Sequence, residues 1–340
     1  MSKNALLMVN LGSPDSPDKN DVKKYLQEFL MDPAVIDIAK PLRYLLVNGI
    51  IVPFRTAKSS RKYQSVWSDS GAPLIVKSRE LQNSVAKKVD FPVYIAMRYG
   101  NPSIGKILSQ INREKSDLRK LIVLPLYPHY ARSSYGTAAG SVEKQVQRGK
   151  FSFDIDFVPP FYSDKFYIDA LCFSLLRFDL STYDHILFSY HGLPVRHILK
   201  DDVTKSHCLQ TSDCCRVKSA AHKFCYRHQI YETTSLVASK LGLDDTRYSV
   251  SFQSRLGNDK WLSPFTSTVV KNLPAKGVKK LLVVAPSFVT DCLETLEELG
   301  DEAREVFIKA GGEHFDLVPS LNSDSKWVDA ICSLTAQLKA

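Results

Sequence analysis

The sequence predicts an α/β protein of two doubly wound, Rossmann-like domains, each with a parallel sheet, and an inter-domain cleft. Three observations lead there. Short β-rich apolar runs alternate with longer segments of helical period, as in βαβ units. Each half of the chain contains a complete strand–helix series, and residues 157–162, Phe-Val-Pro-Pro-Phe-Tyr, read as the crossover between them. The length of 340 residues suits two ordinary domains, and 44% hydrophobic with 24% charged residues is a folded composition.

In chain order the strands are expected at 4–10, 92–98, 119–125, 184–190, 247–253, 279–285 and 315–319. Helices fit between them at about 20–31, 76–89, 103–115, 135–148, 164–179, 229–241, 264–273, 294–310 and 325–338. The first domain then spans 1–158 with a lip at about 29–54, and the second spans 159–318 with a cysteine-rich insertion at about 200–228. Residues 319–340 form a terminal helix packing back on the fold.

Ala5-Leu-Leu-Met-Val9 is too short an apolar run for a signal peptide and reads as the first strand, so a cytoplasmic protein is expected. No stretch reaches the ~18 apolar residues of a membrane helix. The lip is nonetheless too apolar for a solvated connection, and Arg55, Lys58, Arg61 and Lys62 follow it. Apolar residues flanked by basic ones suit peripheral contact with the inner face of an anionic membrane; a helix pair packed on the first domain is the alternative. The net charge of +9 comes from 45 basic residues spread along the chain rather than gathered in an arm, which disfavours nucleic acid as a partner.

In open α/β sheets ligands sit beyond the carboxyl ends of the strands. Here those ends carry Asn10-Leu-Gly-Ser-Pro14, Arg98-Tyr-Gly-Asn-Pro102, Tyr127-Pro-His-Tyr-Ala-Arg-Ser-Ser-Tyr135, Ser189-Tyr-His-Gly-Leu-Pro194, Gln253-Ser-Arg-Leu-Gly257 and Pro286-Ser-Phe-Val-Thr-Asp-Cys-Leu-Glu294. No dinucleotide fingerprint, phosphate loop or nucleophile elbow occurs, so no nucleotide is expected and a serine hydrolase is disfavoured. Aromatic, arginine, histidine and carboxylate side chains in place of glycine loops suggest a flat conjugated ligand and a metal ion.

His191 follows the buried run Ile186–Tyr190 and precedes Gly192 and Pro194, a strand end turning sharply into a loop. There it suits a general base or metal ligand, or is simply a hydrogen-bonded loop histidine. Glu294 opens a helix and, with Asp291, also fits a capping box. Glu294, Glu298, Glu302 and Glu305 recur on roughly one face, where like charges repel by a few tenths of a kcal/mol per pair. Such a row makes sense as a path for hard cations or, for Glu302 and Glu305, as a solvated acidic face.

Ser189-Tyr-His-Gly-Leu-Pro194 together with Asp291-Cys-Leu-Glu-Thr-Leu-Glu-Glu298 resembles the signature pair of ferrochelatases. Asn10–Pro14, Arg98-Tyr99, Leu124-Pro-Leu-Tyr-Pro128, Gln253-Ser-Arg255 and Trp261-Leu262 match family motifs in the same order, from about residue 5 to 338. The resemblance implies a chelatase-like enzyme of haem synthesis that inserts Fe2+ into protoporphyrin IX without ATP. It implies His191 either as proton acceptor or as metal ligand, with Glu294 in the opposite role and both meeting the iron; of the two, His191 is read here as base and Glu294, helped by Glu298, as iron conduit and proton relay. Leu11, Phe288 and Trp261 would line the macrocycle, while Arg98, Tyr99 and Arg132 or Ser133 would approach its propionates or rim. Family members that use coproporphyrin commonly carry a tyrosine near Leu11; this sequence is more similar to the protoporphyrin users.

Seven cysteines in a reducing compartment argue against a disulfide framework. Cys172, Cys292 and Cys332 are isolated, whereas Cys208-x5-Cys214-Cys215-x9-Cys225 is compact enough for a 2Fe-2S cluster, or for tetrahedral zinc, with or without His207, His222 or His228; free thiols are the third reading. Spacing alone does not choose between them. Some bacterial ferrochelatases resemble this arrangement, which implies a cluster serving as a structural element or sensor. Rival readings are a chelatase for another metal or tetrapyrrole, such as coproporphyrin or sirohydrochlorin, and a carrier that binds a tetrapyrrole or iron without turnover.

Overall fold

A computed structural model describes residues 3–255, 257 and 259–338. The chain forms two compact units: Met1–Tyr127 with Arg132–Pro159 and Val328–Ala340, and Pro128–Ala131 with Pro160–Trp327.

The first unit holds β1 (Asn4–Ser13), β2 (Val93–Gly100), β3 (Lys120–Pro125) and β4 (Asp154–Phe157), all parallel, in the order β2-β1-β3-β4. Ala5 to Val9 are wholly buried because helices cover both faces of a parallel sheet, which is why the strand reads as a continuous apolar run. Leu7 pairs with Tyr94 on one side and Val123 on the other. Leu108 and Val142, from the helices Ile104–Glu114 and Thr137–Gly149, pack with Leu7, Val9 and Ala96 in one core. Strand β4 differs from expectation. Asp154-Ile-Asp-Phe157 is a four-residue edge strand with two acidic residues, too short and too polar to carry an apolar signal.

The second unit repeats the plan with β5 (His185–His191), β6 (Tyr248–Gln253), β7 (Lys280–Val284) and β8 (His314–Leu317), parallel, in the order β6-β5-β7-β8. Val270, Leu299 and Phe307 pack over Leu187 and Val283. In each sheet the chain leaves the first strand in one direction and later returns to its other side. The points of reversal are therefore β1/β3 and β5/β7, beyond whose carboxyl ends ligands bind in open α/β sheets.

Three helical segments are not α-helical, and of these only the last falls wholly within an expected helix. Leu46–Ile51, Arg132–Gly136 and Glu294–Ala303 are π-helical, with i→i+5 hydrogen bonds that apolar periodicity does not distinguish from i→i+4. The first lies within a continuous helical run from Lys40 to Val66, which overlaps the later part of the apolar segment at 29–54. There Leu42, Tyr44, Leu45, Ile50 and Phe54 are exposed, Phe54 at 82%. Arg43 is buried instead, its Nη1 donating to the carbonyls of Ile36 and Ile38. Among the described residues no helix is long and apolar enough to cross a membrane.

Candidate functional site

His191 is the last residue of β5 and Gln253 the last of β6, and the two are register partners. The loop after β7 brings Phe288, whose ring centroid lies 6.3 Å from that of His191. The amide of Gln253 ties the set together: its Oε1 accepts from the wholly buried Ser189 hydroxyl at 2.7 Å, and its Nε2 faces the Glu294 carbonyl at 3.4 Å. The second unit thus gathers His191, Gln253, Phe288 and Glu294 around its own point of strand reversal.

The imidazole of His191 is oriented by its Nδ1, 2.7 Å from the Gly192 carbonyl. A carbonyl can only accept, so Nδ1 carries the proton and Nε2 the lone pair of the neutral ring. Gly192 is needed here: a Cβ would lie 2.9 Å from the Gln253 carbonyl oxygen and 3.3 Å from Cε3 of Trp261. Trp261 is held against this turn by its bridge to Pro194.

Behind the histidine, the Tyr226 hydroxyl donates to the His191 carbonyl at 2.8 Å and lies 3.2 Å from the Ser287 hydroxyl. Ser287 meets Nδ1 of His129 at 3.2 Å, and Nε2 of His129 meets Thr233 at 2.9 Å. His129 is 2% exposed, its ring edge-on to those of Tyr190 and Tyr226, and burial pushes its pKa down to about 3. Sequence reasoning missed this network, because His129, Tyr226 and Ser287 share no spacing that would have joined them.

The expected capping box is absent. Asp291 accepts from the Ser320 amide and the Asn322 side chain, while Leu293 caps the helix without a side-chain bond. Glu294 therefore has no capping role. Along the π-helix Glu297 is buried, Glu294 and Glu298 are half-buried, and Asp301 and Glu302 are exposed, as is Glu305 in the α-helix that follows. Ser254 donates to Glu298 at 2.6 Å from a left-handed backbone, φ 64°, a conformation a serine adopts only where its surroundings impose it. Carboxylates thus run from exposed to half-buried, ending beside Gln253.

In the first unit, half-buried Leu11 lies near the end of β1. Just after it, Gly12 has φ 112°, and a Cβ there would meet the Tyr99 carbonyl oxygen at 1.8 Å. Arg98 and Tyr99 both converge on buried Asp32, whose carboxylate accepts from the Arg98 guanidinium, from Tyr99 Oη at 2.8 Å and from Thr137 Oγ1 at 2.6 Å. Burial alone would raise the Asp32 pKa. Hydrogen bonds from Thr137, Ala34 and Tyr99 and the Arg98 charge outweigh it and hold the pKa below the usual value. Tyr99 is 1% exposed and acts on this ion pair from inside the core; burial drives its own pKa up. Asp32, the partner of Arg98, had no local signal in Met31-Asp-Pro33. Ser133 is half-buried and Arg132 exposed, both in the π-turn.

Among the described residues, no group of three or more His, Cys, Asp or Glu side chains is arranged to hold a metal ion as it stands. In the insertion the free thiols lie within hydrogen-bonding reach of one another instead: Cys208 of Cys225, Cys225 of Cys215, and Cys215 of Cys214. Burial pushes Cys208 up to about 11, and the hydrogen bond to Cys225 followed by burial raises Cys215. Buried Asp202 folds the loop by accepting from the amides of Thr204, His207 and Cys208. The Leu209 and His228 amides point at sulfur at 3.3 and 3.4 Å, and Nη1 of Arg227 lies 3.1 Å from Cys215 and 3.5 Å from Cys214. These are donors that stabilise anionic sulfur. One ring nitrogen of each of His207, His222 and His228 is engaged by a backbone carbonyl, that of Cys214 for the first two and of Cys215 for the third. The donor set therefore fits an all-cysteine group better than a mixed cysteine–histidine zinc site.

Known proteins bear on this geometry at two levels. The chain is 44% identical to a ferrochelatase of Opitutus terrae over 98% of its length and 97% of that protein's, and 46% identical to one of Ectopseudomonas mendocina over 97% of each. Among solved structures it is similar in fold to SirB from Bacillus subtilis with Fe3+, at TM-score 0.57 and 12% identity, covering 100% of this chain and 96% of that one. A second similarity is to the sirohydrochlorin chelatase SirB of Bacillus subtilis subspecies spizizenii in complex with cobalt, at TM-score 0.53 and 10% identity, covering 99% and 95%. The ferrochelatase family model matches residues 3–338, and with the relatives above this establishes that the chain belongs to the ferrochelatase family, enzymes that insert iron into porphyrin in haem biosynthesis.

Proposed function

We propose that this enzyme inserts Fe2+ into protoporphyrin IX, with His191 as the base and Glu294, assisted by Glu298, as the iron and proton path. The observation that carries this reading is that Gln253, the register partner of His191, reaches the backbone carbonyl of Glu294, so that both residues stand beyond the carboxyl ends of the second sheet. Insertion requires that two pyrrole N–H protons leave as a dication enters. The Nδ1–H of His191 is held by the Gly192 carbonyl, which turns the lone pair of Nε2 into the proton acceptor. Oxygen ligands release ferrous iron readily, and the half-buried Glu298 and Glu294 continue inward from exposed Glu302. Binding the macrocycle bent would expose its nitrogen lone pairs, a use of binding energy that favours the transition state. Phe288, Trp261, Leu11, Arg98 and Ser133 are assigned to porphyrin binding. Tyr99 serves it indirectly, by fixing Asp32 against Arg98.

Cys208, Cys214, Cys215 and Cys225 are assigned to a 2Fe-2S cluster, supported by the closeness of the four free thiols and the N–H groups aimed at them. Such a cluster would supply a one-electron redox state and a covalent staple for the loop. The exposed apolar residues of the lip, beside exposed Arg55, Lys58 and Arg61, support peripheral contact of this cytoplasmic protein with an anionic membrane. The assay that tests the activity crosses metals with macrocycles. Ferrous iron with protoporphyrin IX should give the highest kcat/KM, and preference for coproporphyrin, or for cobalt with sirohydrochlorin, would reverse the assignment. A visible spectrum of anaerobically purified protein should show sulfur-to-iron bands; bound zinc without them would replace the cluster.

A further inference from the structure

Cys225 and Tyr226 are consecutive, yet they belong to different parts of the molecule's chemistry. Cys225 is the last cysteine of the insertion and caps the helix Tyr226–Leu241, its sulfur facing the His228 amide at 3.4 Å. Tyr226, the first residue of that helix, is 5% exposed and places its hydroxyl 2.8 Å from the backbone carbonyl of His191.

The protons of the surrounding network can be assigned. Thr233 donates its single hydroxyl proton to the Tyr162 carbonyl, its shortest contact at 2.7 Å. His129 must then donate from Nε2 to Thr233, so its Nδ1 is bare and accepts from Ser287. The carbonyl of His191 can only accept, so at 2.8 Å it takes the single phenolic proton of Tyr226, and the longer 3.2 Å approach of Ser287 to the phenol is left without one. That carbonyl and the Gly192 carbonyl that orients Nδ1 are adjacent in the chain, so fixing one fixes the peptide plane leading to the other.

We propose that Tyr226 is a positioning residue that ties the orientation of His191 to the state of the cysteine loop. Loss of that tie lowers the turnover rate without altering porphyrin affinity. Whatever holds Cys225 in place holds the backbone from which the phenol projects. Release of the sulfur lets the first helical turn loosen and the hydroxyl leave the His191 carbonyl. The coupling rests on the cluster and base assignments proposed above.

The test compares wild-type, Tyr226→Phe and Cys225→Ser proteins, each purified anaerobically, with iron and acid-labile sulfide measured on every sample. Positioning groups of this kind are commonly worth about 10-fold or more. Tyr226→Phe should keep its cluster bands, lower kcat about 10-fold and leave KM for porphyrin within about 2-fold. Cys225→Ser, which retains a helix-capping side chain, should lower kcat similarly, and the double variant should be no slower than either single one. A readout apart from activity is the bleaching of the cluster absorption by a chelator. It should run several-fold faster in Tyr226→Phe than in wild type, because the loop has lost its tether. Wild-type kcat in Tyr226→Phe with the cluster intact, or fully additive losses in the double variant, would overturn the coupling. Wild-type protein devoid of labile sulfide would overturn the cluster on which it rests.

Discussion

His129 gives the account its most quantitative stability prediction. It lies between Ser287 and Thr233, 2% exposed, and burial holds its pKa near 3, against about 6.5 for an unfolded histidine. Above about pH 6.5 neither state binds the proton and the contribution to folding is complete. Below that value the unfolded chain takes up a proton that the folded ring refuses, so stability falls as pH drops. The loss is about 1.4 kcal/mol per pH unit until the folded pKa is reached, or about 2 kcal/mol between pH 7 and pH 5. His129→Gln cannot titrate but can still bridge Ser287 and Thr233. Urea unfolding of both proteins at pH 7.5, 6 and 5 isolates the term, because His185 and His222, whose pKa values burial also lowers, are common to the two. The variant is expected to be the less stable at pH 7.5 and to close on wild type by about 2 kcal/mol by pH 5. Parallel pH profiles would refute the neutral, buried His129 and the proton assignment built on it.

Asp32→Asn removes the charge facing Arg98, leaving the guanidinium only partly solvated; a destabilisation of about 3 kcal/mol is expected in chemical denaturation, with a raised KM for porphyrin. Gly192→Ala drives a methyl group into the Gln253 carbonyl and Trp261, so it should cost about 1–3 kcal/mol and lower kcat; a wild-type melting curve and rate would show the turn to be looser than described. Ser254→Ala leaves Glu298 without its 2.6 Å donor and should raise the iron KM more than the porphyrin KM, measured by varying each substrate in turn.

The fold was legible because parallel strands buried on both faces write themselves as apolar runs, as Ala5–Val9 and Ile186–Tyr190 do. His191 was legible for a related reason: a histidine directly after such a run must stand at a strand's carboxyl end. The π-helix at Glu294 was not, since a register of i→i+5 leaves no mark in a pattern read at i+3 and i+4, and Asp291 imitated a cap while bonding residues far along the chain. Asp32 meets Arg98 across 66 positions, and His129 meets Ser287 across 158. Contacts of that range are set by topology and carry no local spacing.

The central claim is that His191 acts on the reacting porphyrin rather than merely holding it. Single-turnover insertion of Fe2+ by His191→Ala, with porphyrin affinity measured by fluorescence titration on the same sample, tests it most directly. The account predicts affinity within a few-fold of wild type and an insertion rate reduced by at least about 100-fold. Insertion at the wild-type rate would contradict it.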